Sequence, residues 1–144
     1  MKRIALFMSA LALCVAVSAE KNITIQLTDL PQAAQTFIST YFPKEKAASV
    51  ILQREIGKTG YQVRFASGNK VEFNNKGMWK EINCGKSPLP EGIVPAPIVA
   101  FVNGWNPNAT INEIDLDRGH TDITLNTGTE MEFNKKMTVI NIEE

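Results

Sequence analysis

Tyr61-Gln62-Val63-Arg64-Phe65-Ala66-Ser67-Gly68 runs into Asn69-Lys70-Val71-Glu72-Phe73-Asn74. The pattern returns as Thr121-Asp122-Ile123-Thr124-Leu125-Asn126-Thr127-Gly128, then Thr129-Glu130-Met131-Glu132-Phe133-Asn134. Each stretch alternates apolar and polar residues, the mark of strands with one buried side. Ser67-Gly68 and Thr127-Gly128 read as tight hairpin turns in which glycine supplies a positive φ. The two stretches lie 60 positions apart.

Working outward, each hairpin has the same neighbours. Leu30-Pro31 is followed by Ala34, Phe37, Ile38, Tyr41 and then Pro43; Val94-Pro95 is followed by Ile98, Phe101, Val102, Trp105 and then Pro107. The spacing i, i+3, i+4, i+7 predicts a three-turn helix with one apolar side, opened and closed by proline. Here the offset is 64, so the first copy carries about four extra residues near Lys58-Thr59-Gly60. A strand at Val50-Ile51-Leu52 or Ile114-Asp115-Leu116 precedes each hairpin, and one at Trp79 to Ile82 or Val139 to Ile142 follows it.

The chain is thus expected to be an α+β fold of two tandem helix-plus-four-strand repeats. These would form one antiparallel sheet, or two abutting sheets, with both helices packed on one face. Val63, Phe65, Val71, Phe73 and Ile82 should lie under the first helix, and Ile123, Leu125, Met131, Phe133 and Ile142 under the second. The first repeat spans 30–84, a Pro- and Gly-bearing linker 85–93, and the second repeat 94–144. A unit of roughly 55 residues buries little core alone, so 30–144 is expected to fold as one domain. Residues 20–29, where Ile23, Ile25 and Leu27 alternate, read as an N-terminal arm or an edge strand.

The N-terminus reads differently. Met1-Lys2-Arg3, an apolar run to Val17 and the small residues Ser18-Ala19 have the three regions of a signal peptide, with cleavage after Ala19. Leu13 precedes Cys14, where lipoprotein processing wants a small residue, so no lipid anchor is expected. The predicted location is periplasmic or secreted, with no membrane insertion after cleavage. Fifteen basic and fifteen acidic residues balance in the whole chain; without the first nineteen, thirteen basic face fifteen acidic residues. That balance argues against a nucleic-acid binder and a polybasic membrane anchor.

No nucleophile elbow, zinc-protease helix, phosphate loop or dinucleotide fingerprint occurs. Cys84, the single cysteine left after cleavage, reads as a structural thiol, and His120, the only histidine, as a solvated residue of the Arg118-Gly119-His120 turn. No catalytic residue, metal site or cofactor is predicted. Carboxylates remain. Strand parity places Asp122, Glu130 and Glu132 opposite the second helix, with Asp115 and Asp117 beside them, and Gln62, Arg64, Lys70 and Glu72 on the same face of the first unit. With Trp79 as an aromatic anchor, the candidate partner-binding face is Arg64, Glu72, Trp79, Asp122, Glu130 and Glu132. The alternative is a solvated sheet face. Clustered carboxylates also suit calcium, but no compact Asp-x-Asp-x-Asp-Gly loop occurs.

The succession Leu-Pro, helix, Phe-Pro, strand, Tyr-x-Val-x-Phe-x-x-Gly, Val-x-Phe-Asn-x-x-Gly and Trp-x-x-Ile resembles the PepSY-like proteins exported by Bacteroidetes. These are similar in fold to the bacterial β-lactamase-inhibitor protein, which also has two helix-plus-four-strand repeats. The resemblance covers residues 30–144. It implies a non-enzymatic periplasmic or outer-surface binding module with a protein partner, and analogy with the inhibitor protein suggests restraint of an envelope hydrolase or peptidase. A structural scaffold and a hydrolase using paired carboxylates are the rivals. The sequence departs from the pattern at Lys136-Met137, where the first copy has Lys76-Gly77, and at Val139, where it has Trp79. No inhibitory loop can be matched residue by residue.

Overall fold

Alternating strands can share one core only if their apolar sides fall in register, and here they do so across the whole sheet. The computed structural model describes residues 20–144, so the expected signal peptide lies outside the described residues. The strands are β1 (Glu20–Thr24), β2 (Ala47–Glu55), β3 (Lys58–Phe65), β4 (Lys70–Asn74), β5 (Trp79–Asn83), β6 (Ile111–Asp117), β7 (His120–Leu125), β8 (Glu130–Phe133) and β9 (Val139–Glu143). Helix α1 (Gln32–Tyr41) lies between β1 and β2, and α2 (Ala96–Trp105) between β5 and β6. The nine strands of the described residues join one antiparallel sheet in chain order. The segment at residues 20–24 is therefore an edge strand, and the sheet is single.

One row of apolar residues crosses it. Val50 faces Val63, then Val71, Ile82, Ile114, Ile123, Met131 and Ile142, each directly opposite the next. The Ile25 N–H donates to the Val50 carbonyl at 3.0 Å, carrying the row to the first edge. Every member from Val50 to Met131 is buried. The junction between β5 and β6 is the shortest pairing, three residue pairs centred on Ile82 and Ile114. Beside it the Cys84 N–H donates to the Asn112 carbonyl, and the buried Asn112 amide donates to the Gly85 carbonyl at 3.1 Å.

Both helices pack on this apolar face. Phe37 of α1 meets Phe73 edge-on at 5.9 Å, and Phe101 of α2 meets Phe133 edge-on at 5.7 Å. The residues expected beneath each helix are all buried except Ile142, which is half-buried on the edge strand. The helices differ on their outer sides. Helix α1 shows Gln32, Thr36, Ser39 and Thr40, whereas α2 shows Ala96, Pro97, Val99, Ala100 and Trp105. Trp105, expected to fill the core, is 43% exposed and lies over Phe101 as the last residue of its helix.

Bulges break the simple alternation at matching places. Ala48 and Asn112 are each the extra residue of their strand, as are Lys80 and Ile140. The hairpin glycines Gly68 and Gly128 have φ of +101° and +94°, as their turns require. Gly77 has φ +85°, and a Cβ there would fall 2.8 Å from Pro31 Cβ and 3.1 Å from Ala34 N, at the start of α1. Its counterpart Met137 holds φ +64° with a side chain packed against the core. Gly77→Ala should therefore cost about 3 kcal/mol through backbone strain and overpacking together. Gly68→Ala, whose Cβ meets nothing within 4 Å, should cost about half that, from the backbone alone. Urea denaturation of the two variants checks the difference.

Candidate functional site

The register that builds the core also arranges the opposite face, because a strand's side chains alternate between the two. Next to the apolar row runs a polar one: Gln62 faces Glu72, then Glu81, Asp115, Asp122, Glu132 and Asn141. Five carboxylates thus stand on five adjacent strands, each directly opposite the next. A parallel row holds Arg64, Lys70, Asn83, Glu113, Thr124, Glu130 and Glu143. Like charges directly opposite one another destabilise a sheet, so this arrangement has an electrostatic cost.

The first half offsets that cost internally. The Lys70 ammonium lies 3.2 Å from both Glu72 and Glu81. Burial pulls the Lys70 pKa down, but hydrogen bonds and charge from Glu81 and Glu72 outweigh it and hold it above the usual value. In the second half, His120 Nδ1 lies 2.5 Å from Glu132 Oε2. Among the described residues Asp115 and Asp122 form no ion pair and face one another. Partial burial, then the charges of Glu81, Asp122, Asp117 and Glu72, push Asp115 up to about 6. Asp122 is raised by desolvation and by Glu132, Asp117 and Glu130, with His120 opposing. Glu113 is raised by burial and by Glu81 and Glu130, with Lys70 opposing.

Of the six residues expected on this surface, Arg64, Glu72, Asp122, Glu130 and Glu132 lie on the open face. Trp79 does not. Its partner is Phe73, and its ring packs 6.3 Å from Phe37 on the helix side. The reason is the bulge at Lys80. Simple alternation back from Ile82 puts residue 79 on the open face, and one extra residue in the strand returns it to the core. Glu81 belongs to the acidic row although sequence reasoning did not single it out; its position beside Ile82 was the available signal. His120 is not a free turn residue but opens β7 and contacts Glu132. Cys84 is buried, and burial followed by the Glu45 charge pushes its thiol up to about 11.

A family profile described as "Putative beta-lactamase-inhibitor-like, PepSY-like" matches residues 59–141. The chain belongs to this PepSY-like family. Its solved relatives agree over nearly the whole described chain. A protein of Bacteroides thetaiotaomicron, described as "a putative calcium-regulated periplasmic protein", is 35% identical with a TM-score of 0.83, covering 85% of this chain and 97% of its own. A "putative periplasmic protein" of Bacteroides vulgatus is 36% identical with a TM-score of 0.84, covering 86% of this chain and 98% of its own. Another from the same species, of unknown function, is 25% identical with a TM-score of 0.81, covering 86% of this chain and all of its own. No curated protein matches. Among the described residues of this PepSY-like chain, no helix is long and apolar enough to cross a membrane.

The raised Asp115 pKa fixes a pH dependence. Between the ordinary value of 3.8 and about 6, the folded chain keeps a proton that the unfolded chain has lost. Stability from this group is therefore greatest below pH 4, falls as pH rises, and is fully lost above pH 6. Asp115→Asn should raise the melting temperature by about 3 °C at pH 7.5. The gain should vanish near pH 4, which calorimetry at both pH values would check.

Proposed function

We propose that the protein is an exported, non-enzymatic binding module that holds a cationic segment of a partner protein on its acidic open face, restraining an envelope hydrolase or peptidase by that contact. The observation that carries this reading is the Asp115–Asp122 pair, two carboxylates set opposite each other with no ion pair to either among the described residues. A cationic partner relieves their repulsion, so the charge that costs the free fold favours the complex. The periplasmic descriptions of the relatives support an envelope location for this chain, together with the signal-peptide pattern of residues 1–19. In this reading residues 30–84 and 94–144 are two copies of one unit, joined by 85–93 and folded as one domain.

The non-enzymatic reading is supported by how the reactive groups are placed. The Cys84 thiol is buried and held protonated, while His120 opens β7 on the open face against Glu132. They do not form a nucleophile–base pair. The calcium regulation ascribed to the relative from B. thetaiotaomicron enters here as competition. Among the described residues no three His, Cys, Asp or Glu side chains converge as a metal cage, so calcium would screen the acidic face and displace a cationic partner.

Capture from periplasmic extract on immobilised protein, followed by hydrolase assays on what binds, tests the proposal. Asp122→Lys and Glu130→Lys, both at exposed positions, should each reduce capture about tenfold while the circular dichroism stays unchanged. Added salt should weaken capture by wild type. Trp79→Ala should instead lower stability, because its ring packs on Phe37. Equal capture by wild type and both charge-reversed variants would contradict the docking surface. Substrate turnover by the purified protein, lost in Asp122→Asn, would favour a carboxylate hydrolase.

A further inference from the structure

Strand β9 ends the sheet, and among the described residues no strand pairs with its outer side. An edge strand presents outward N–H and C=O groups that pair readily with another extended chain. Such edges are commonly blunted with lysine or proline. The opposite edge, β1, carries Lys21, whereas β9 reads Val139-Ile140-Asn141-Ile142-Glu143, without lysine or proline, and is interrupted by one bulge and ends on the anionic Glu143. Its bulge at Ile140 leaves that side chain 49% exposed.

The two sides of this edge differ sharply. Toward the helices, the apolar row reaches Ile142, which is half-buried, as is Val139. Toward the open face, Glu143 stands opposite Glu130, and Asn141 opposite Glu132. An added strand would therefore meet apolar neighbours on one side and carboxylates on the other.

We propose that β9 takes an extended cationic segment of the partner as a tenth strand, with apolar residues toward the helices and Lys or Arg over Glu143, Glu130 and Glu132. Backbone pairing supplies attachment, and the alternating side chains supply selection, as in other strand-addition complexes. The inference rests on the reading of the open face as a surface for a cationic partner. Charge selects that occupant over a second copy joined through the same edge. Residues 93–144 carry three basic and eight acidic residues, so joining two β9 edges would bring like-charged halves together.

The test uses a fluorescein-labelled peptide of four Lys-Val repeats, with four Glu-Val repeats as control, in anisotropy titrations and hydrogen–deuterium exchange on the protein. Binding of the Lys-Val peptide alone, with exchange slowed at residues 139–143, is the expected result. Glu143→Lys, at an exposed position, should weaken that binding about threefold or more. Binding that leaves exchange at 139–143 unchanged would overturn strand addition while leaving the cation-binding face intact. No binding up to about 1 mM, the range of the weakest specific association, would overturn both. Equal binding of the Glu-Val peptide would also overturn the charge selection.

Discussion

The apolar row from Val50 to Ile142 is the constraint on which the rest of the structure depends. It passes directly from strand to strand across the sheet, and at its centre Ile82 against Ile114 joins the half that carries α1 to the half that carries α2. Neither half has much core alone, because one short helix covers only part of the four or five strands beneath it. Burying a side chain of this size contributes roughly 1.5–3 kcal/mol, and each member from Val63 to Met131 is held by neighbours on both sides. A slip of one residue anywhere would turn a strand's apolar side to water. The row therefore fixes the register of every strand it crosses.

Fixing the register also fixes the acidic face. Once Ile82, Ile114, Ile123 and Met131 point to the helices, Glu81, Asp115, Asp122 and Glu132 must stand in line on the other side. The repulsion among them follows from strand order together with parity. Lys70 offsets it between Glu72 and Glu81, and His120 contacts Glu132, while the pair on β6 and β7 forms no ion pair among the described residues. In the proposed function, stability and binding oppose one another at this pair: a carboxylate that weakens the free protein is the group that a cationic partner would reward.

Much of this was legible in the residues. The helix stripes, the hairpins with their glycines and the buried parity sets follow from period and turn chemistry, and the open face follows from the same alternation. Trp79 and Trp105 were not legible, for different reasons. Trp79 returns to the core through a bulge, which adds one backbone residue and leaves no clear mark in a short strand of mixed side chains. Trp105 continues a valid helical stripe but is the last residue of its helix, where it stacks on Phe101 and stays exposed. Nor does alternation within a hairpin reveal that β5 pairs with β6. That contact is non-local across the linker and α2, and it decides that Glu81 stands beside Asp115 in one sheet rather than at the margins of two.

The most direct test of this account is native-state hydrogen exchange, as a function of urea, on wild type and Ile114→Ala. Truncation of this fully buried residue should cost about 3 kcal/mol. The account predicts that slow amides in β2–β4 and in β7–β9 lose protection together and by the same amount, because one row holds both halves. Loss of protection confined to β6–β9, with β2–β4 as stable as in wild type, would contradict it.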